Sequence, residues 1–463
     1  MVSTSAPAVQ NTGRQYLRVA DSTSEDISPN QQLLPITAKV NEEDHLEIGG
    51  CDVIKLVEQF GSPLYIVDEA SLRQACSQYR DAFSRYYEGQ SQVLYASKAW
   101  NCLAICAIVN SEGLGVDVVS GGELYTALEA GVSPSKIYLH GNNKSRSELQ
   151  MALESGCTIV ADNWLDLHSL VEIADTPVRL MLRLTPGIEC HTHEYIRTGH
   201  LDNKFGFDPE QIEQVFAFVS QQPMLNCIGL HAHIGSQIFA LQPHTDLSNL
   251  MARWLKLAAN YGLSIAEINV GGGLGICYTE ADDPPSINQW AKVICEGVMA
   301  ACRAEGLPLP KLLCEPGRSI VGPTCITAYT IGSNKVIPDI RTYLSVDGGM
   351  SDNPRPITYQ AVYRCVVANR MSAPLTAKVT IAGKHCESGD ILIKDTQVPE
   401  IQAGDILVVM ATGAYNYSMA SNYNRLPRPA AVLINAGEAN LILQRETYQD
   451  LIRQDRLPER LHS

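Results

Sequence analysis

Long apolar runs are missing from this chain. The most continuous, residues 102–109 and 406–411, fall far short of the roughly 20 residues needed to span a bilayer, so no transmembrane helix is expected. Positive charge is also scarce: 35 Lys and Arg face 50 Asp and Glu, a net charge of -15. That sign is wrong for a surface that tracks a phosphate backbone or an anionic leaflet, which argues against nucleic acid and membrane as partners. The 14 cysteines contain no C-x-x-C pair, and a chain this long needs no covalent staples, so they read as reduced thiols. The opening MVSTSAPAVQNTGRQ lacks a basic cluster followed by an apolar core, so no secretory signal is expected and a cytoplasmic location follows. Glycine and proline, at 34 and 24, are too few for a collagenous or low-complexity chain.

What is present is a globular composition, 45% hydrophobic and 18% charged over 463 residues, long enough for one large domain and a smaller one. Residues 1–40 are rich in Ser, Thr, Gln and Pro and read as a disordered tail; residues 41–68 read as a lead-in that joins a β-domain. From Gln92 the β-branched runs QVLYASKA, LGVDVVS, IYLHGN, CTIVAD, VRLMLRLTP, CIGLHAHIGSQ, EINVGGGLG and KLLCEPGRSIVG alternate with helical patterns. Eight such units predict a (β/α)8 TIM-type barrel over residues 69–320, with its chemistry at the C-terminal strand ends. An open doubly wound sheet is the alternative. After residue 321 the alternation stops, and runs such as CITAYTIG, RTYLSVD, LTAKVTIAG and DILVVMA predict a mostly-β domain over 321–463.

Unusual polar groups gather at the ends of these runs. Lys98 in YASKA extends the first strand, and alternation puts it on the side of Ala96. The plain reading is a surface lysine, but one aimed into a barrel mouth must be paired or used. HAHIGSQ places His231 and His233 on one face with Ser236 following. An H-x-H pair can bind metal, and a second one, His191 and His193, lies in an expected loop rich in histidine, but no further ligands stand at a recognisable spacing, so no metal is expected. In VGGGLG, Gly271, Gly272 and Gly273 follow a strand and let backbone N–H groups approach an anion. Their spacing is not the G-x-G-x-x-G of a dinucleotide site. CEPGR adds Glu315 and Arg318, which could simply pair to close the barrel. Taken together, a lysine, a flat histidine, a glycine cradle and a carboxylate are what pyridoxal 5'-phosphate requires.

The motifs YASKA, HIGSQ, GGGLG, EPGRSIVGP, DGGMSDNPRPITYQ, HCESGD and GAYNYSMASNYNRLPRP, in this order across residues 60–435, strongly resemble the diaminopimelate decarboxylases, pyridoxal-phosphate enzymes of the alanine-racemase and eukaryotic ornithine-decarboxylase fold type. The resemblance implies Lys98 as the Schiff-base lysine, His233 stacked on the cofactor ring, and Glu315 as the partner of the pyridine nitrogen. It implies Ser236, Gly271, Gly272, Gly273 and the Pro316, Gly317 and Arg318 stretch as phosphate or cofactor contacts. For the substrate it implies Arg318, Arg355 and Tyr359 at the distal carboxylate, Glu387 at the distal ammonium, and Tyr415 touching both cofactor and substrate. Cys386 is implied as the proton donor, entering from the neighbouring subunit of a homodimer whose sites are shared.

A planar guanidinium can take a carboxylate bidentately where a lysine cannot, which suits Arg355 to that task. A carboxylate on the ring nitrogen favours decarboxylation, because a protonated ring accepts the electron pair fully. Ornithine or arginine decarboxylation shares the cofactor parts but would leave Arg355 without a carboxylate. An alanine racemase would share only the fold and the lysine, and a non-enzymatic decoy should have lost Lys98 or Cys386.

Overall fold

The computed structural model describes residues 11–18, 27–188 and 202–461. The eight runs counted from Gln92 become eight parallel strands: β1 Ser91–Ala96, β2 Gly115–Val118, β3 Ile137–Leu139, β4 Thr158–Ala161, β5 Val178–Arg183, β6 Leu225–His231, β7 Glu267–Asn269 and β8 Lys311–Cys314. Each pairs with the next, and β8 returns to β1 through Leu312–Ser91, Leu313–Gln92 and Cys314–Val93. The ring is closed, which excludes the open sheet. Strands covered on both faces need apolar residues at nearly every position; β2, β3 and β4 are buried throughout.

Polar caps set the limits of the helices between them. Ser145 and Glu148 form a capping box that starts Arg146–Ser155, and Gly156 ends it at φ 78°. Ser286 and Gln289 start Ile287–Glu305 in the same way, and Gly306 closes it at φ 69°. Each such cap is worth about 1 kcal/mol, and the left-handed terminus is a conformation that glycine adopts without a Cβ penalty.

Inside the barrel, Leu94, Tyr138, Val160, Met181 and Leu313 pack as one buried cluster. The Tyr138 hydroxyl donates to Glu267 Oε2 at 2.8 Å, and Arg179 and Lys311 each lie 3.7 Å from Glu267 Oε1. Glu267 and Lys311 open their strands, so this cluster fills the N-terminal end and leaves the C-terminal end for chemistry.

The chain divides into two compact units: Ser24–Gln31 with Leu72–Gly322, which holds the barrel, and Met1–Thr23 with Gln32–Ser71 and Pro323–Ser463. The second unit is built on the 13-residue strand Cys325–Ile337, which pairs antiparallel with Arg341–Val346, Ile406–Val409 and Leu64–Asp68. Leu64–Asp68 pairs on its other side, in parallel, with Ala430–Asn435. A strand from before the barrel thus lies within the sheet built mainly after it. Alternate residues Leu64 and Ile66, Ile326 and Ala328, and Ala430, Val432 and Ile434 face one hydrophobic core, the period of two expected for strands.

The N-terminal segment departs from the expectation of a disordered tail wherever it is described. Asn30 Nδ2 donates to the carbonyls of Gly275 and Pro285, and its own carbonyl accepts from Cys277 N. In the other unit, Asn11 O accepts from Leu375 N, and Thr12 bridges Pro374. These hydrogen bonds run through backbone and amide groups, while Leu34 is buried in a hydrophobic core with Tyr16, Leu17 and Leu33 packed against it.

Candidate active site

The barrel groups singled out in the sequence lie at or just past the C-terminal ends of their strands. β1 stops at Ala96, and Ser97–Ala99 form a single 3-10 turn. Strand alternation therefore does not set the direction of Lys98, a correction to the sequence reading. Lys98 is exposed while Ser97, Ala99 and Trp100 on either side are buried.

His231 ends β6, and His233 lies two residues beyond it. The two rings meet different partners. His231 Nε2 is 3.1 Å from Glu315 Oε2, whereas His233 Nδ1 accepts the Gly272 N–H at 3.3 Å. Burial, and then the positive charge of Lys98, hold His233 well below its usual pKa, so it is a neutral ring near pH 7. The close fit depends on Gly271, where φ is 67° and a Cβ would stand 2.5 Å from His233 Nδ1. At Gly272 a Cβ would lie 2.2 Å from the Glu315 carbonyl oxygen. Gly271 O in turn accepts from Glu315 N at 2.8 Å, tying the glycine run to the last strand end.

Glu315 and Arg318 do not pair with each other. Glu315 is surrounded by His231, by Asn269 Nδ2 at 2.6 Å from Oε1, and by His140 Nε2 at 2.8 Å from Oε1. Burial alone would push its pKa up, but His140 and His231 outweigh it and hold Glu315 well below the usual carboxylate range. Asp117, in the middle of β2, is pushed up by its burial. Arg318 is buried and reaches Ser236 Oγ through Nε and Nη2, at 3.2 and 3.0 Å, and the Tyr278 hydroxyl through Nη1 at 2.7 Å. Pro316 O accepts from Ala96 N. Gly317 passes so close to β1 that a Cβ would be 2.9 Å from the Ala96 carbonyl.

The remaining candidates belong to the β-rich unit. Arg355–Tyr359 is a five-residue helix, so Arg355 and Tyr359, four apart, share a face. Arg355 is buried and its Nη1 donates to the Tyr363 hydroxyl, which also accepts from Asn416 Nδ2 at 3.2 Å. Tyr415 is half-buried and adopts the left-handed conformation, φ 66°. Of the 13 cysteines described, all free, Cys386 is the only exposed one. Its N–H donates to Asn424 Oδ1 at 2.8 Å, and beside it a buried His385 pairs with Asp390 at 2.7 Å. Glu387 is exposed, and its Oε1 accepts from Gly389 N.

Sequence reasoning missed His140, Asn269, Asp117 and Tyr278 in the barrel, and Tyr363 and Asn416 in the β-rich unit. For His140 and Asn269 a signal was present: each is a polar residue at the C-terminal end of one of the eight strand runs, in IYLHGN and EINVGGGLG. His191 and His193 lie outside the described residues.

Residues 69–322 match the family model for the pyridoxal-binding domain of pyridoxal-dependent decarboxylases, and residues 333–413 the model for their C-terminal sheet domain. The chain is 62% identical to a diaminopimelate decarboxylase of Synechocystis over the full length of both. It is 45% identical to that of Bacillus subtilis, over 90% of this chain and 97% of the relative. Among solved structures it is similar to diaminopimelate decarboxylase from M. jannaschii in complex with L-lysine, with TM-score 0.87 and 32% identity over 94% of this chain and all of the other.

Proposed function

The chain belongs to the pyridoxal-dependent decarboxylases, with full-length likeness to diaminopimelate decarboxylases, and on that premise we infer that it converts meso-2,6-diaminopimelate to L-lysine and CO2, the last step of lysine biosynthesis. The observation that carries the reading is the buried Glu315 carboxylate, kept ionised at the barrel's C-terminal end.

The residues present fit pyridoxal 5'-phosphate. When bound, it supplies an electron-accepting ring conjugated to the substrate's reacting carbon. Lys98, the exposed amine after β1, would hold the cofactor covalently and yield it to the substrate amine. His233, neutral and flat, would lie against the ring face, and Glu315 would keep the ring nitrogen protonated. Ser236, the backbone of Gly271, Gly272 and Gly273, and the Pro316, Gly317 and Arg318 stretch would hold the phosphate, where glycine leaves N–H groups unshielded.

Arg355 and Tyr359, on one face of their helix, would take the substrate's distal carboxylate together with Arg318, and Glu387 its distal ammonium. Tyr415 would touch both cofactor and substrate. Once CO2 leaves, the Cys386 thiol would give its proton to the reacting carbon, and its exposure among otherwise buried thiols suits that task. Cys386 would act on the site of the neighbouring subunit in a homodimer. A cytoplasmic location agrees with 13 unpaired thiols and with the absence, among the described residues, of any helix long and apolar enough to cross a membrane.

The test is CO2 release by purified, cofactor-loaded protein from meso-diaminopimelate, ornithine and arginine in parallel. Release from diaminopimelate alone is expected. Release from ornithine or arginine at a comparable rate would overturn the substrate assignment.

A further inference from the structure

Glu315 sits among polar groups delivered by separate strand ends, and their geometry leaves little freedom in how they bond. Asn269 Oδ1 accepts the Gly271 N–H at 3.0 Å, so its amide nitrogen faces the other way, 2.6 Å from Glu315 Oε1. His231 Nδ1 meets no hydrogen-bond partner, so the ring proton belongs on Nε2, where it is donated to Glu315 Oε2 at 3.1 Å. His140 Nε2 is 2.8 Å from Glu315 Oε1 but off the line of a straight hydrogen bond, and 3.7 Å from Asp117 Oδ1. Its ring meets that of His231 edge to face, with centroids 4.7 Å apart. His140 thus stands between the two buried carboxylates.

A carboxylate offers about four lone-pair positions. Two straight bonds, from His231 and Asn269, fix the plane of Glu315 and leave places for a further donor such as a ring N–H. Without these donors and the neighbouring His140, burial would drive the carboxyl to take up a proton of its own, and a neutral acid cannot hold a proton on its partner. We infer that His231 and Asn269, with His140 screening Asp117, are positioning residues that hold Glu315 aimed at the cofactor's ring nitrogen. The inference rests on the assignment of Glu315 to that nitrogen. In support, burial pulls the His231 pKa down to about 4, so this histidine donates as a neutral ring and brings no charge of its own.

The test loads apoprotein with pyridoxal phosphate labelled with 15N in the ring and records the nitrogen resonance, which separates protonated from unprotonated pyridine. Wild type should show the protonated form. His231→Leu and Asn269→Ala should each move the resonance toward the unprotonated position and lower kcat by about 10- to 100-fold, the usual scale for losing an outer-shell partner, with KM changed much less. His231→Gln, whose amide nitrogen can stand where Nε2 stands, should restore the protonated resonance, a recovery that a purely structural role would not give. If His231→Leu fails to fold, Asn269→Ala and His231→Gln still decide the matter. A protonated resonance retained in every folded loss variant would overturn the inference and leave the Glu315 assignment standing. An unprotonated resonance in wild type would overturn that assignment and the inference with it.

Discussion

Lys98 leaves the barrel wall in a single 3-10 turn, exposed between buried neighbours, and its charge is felt by His233 and Asp117. An amine so placed meets whatever occupies the barrel mouth. Lys98→Ala should therefore abolish the long-wavelength absorbance of covalently held cofactor, and borohydride reduction of wild type followed by peptide mapping should find the pyridoxyl group on Lys98. A reduced pyridoxyl group on any other lysine would sink the assignment. Arg355 poses a separable question, because its role is toward substrate only. Arg355→Ala removes a charge-assisted contact worth roughly 1.5–3 kcal/mol, so kcat/KM for diaminopimelate should fall about 10- to 150-fold while the cofactor absorbance stays. Unchanged turnover would refute the distal-carboxylate role.

At the scale of elements, the strands were legible because parallel strands buried on both faces must read as apolar runs; all eight appear where the runs are. Strand ends were not. Alternation carried two residues beyond Ala96 misdirects Lys98, and the same habit groups His231 with His233 although the strand stops between them. The partners of Glu315 were hidden for another reason: His140, His231 and Asn269 lie on β3, β6 and β7 or just past them, and only closure of the barrel brings them together. Between helices, His244 on Gln242–Asn260 accepts the indole N–H of Trp290 at 3.1 Å, and burial pulls its pKa down to about 4. Because that pKa lies below the unfolded value of about 6.5, the unfolded chain binds the extra proton first. Stability is then complete above about 6.5 and is lost as pH falls toward 4. His244→Gln, which cannot titrate but offers the indole an acceptor, should lessen that slope by up to about 1.4 kcal/mol per pH unit. Urea unfolding followed by tryptophan fluorescence at several pH values between about 4 and 7 checks this; coincident slopes for variant and wild type would remove His244 as a source.

At the scale of the whole molecule, the groups proposed for one reaction are divided between two compact units, Lys98 and Glu315 in the barrel unit and Arg355, Cys386 and Glu387 in the β-rich unit. If each site takes its barrel from one subunit and Cys386 from the next, a two-fold dimer holds two composite sites. Lys98→Ala and Cys386→Ala homodimers should then each be nearly inactive, since every site lacks one of the two residues. Mixed under conditions that exchange subunits, the two inactive variants should recover activity. A heterodimer has one site with both residues intact and one with neither, and random exchange at equal amounts makes half of the dimers heterodimers. Activity should therefore approach about 25% of wild type. Mass spectrometry reports the exchange independently of activity. Heterodimers formed without any return of activity would mean that Cys386 serves its own chain's site or none, because a thiol acting within its own chain needs Lys98 intact on that same chain, and neither variant chain carries both residues.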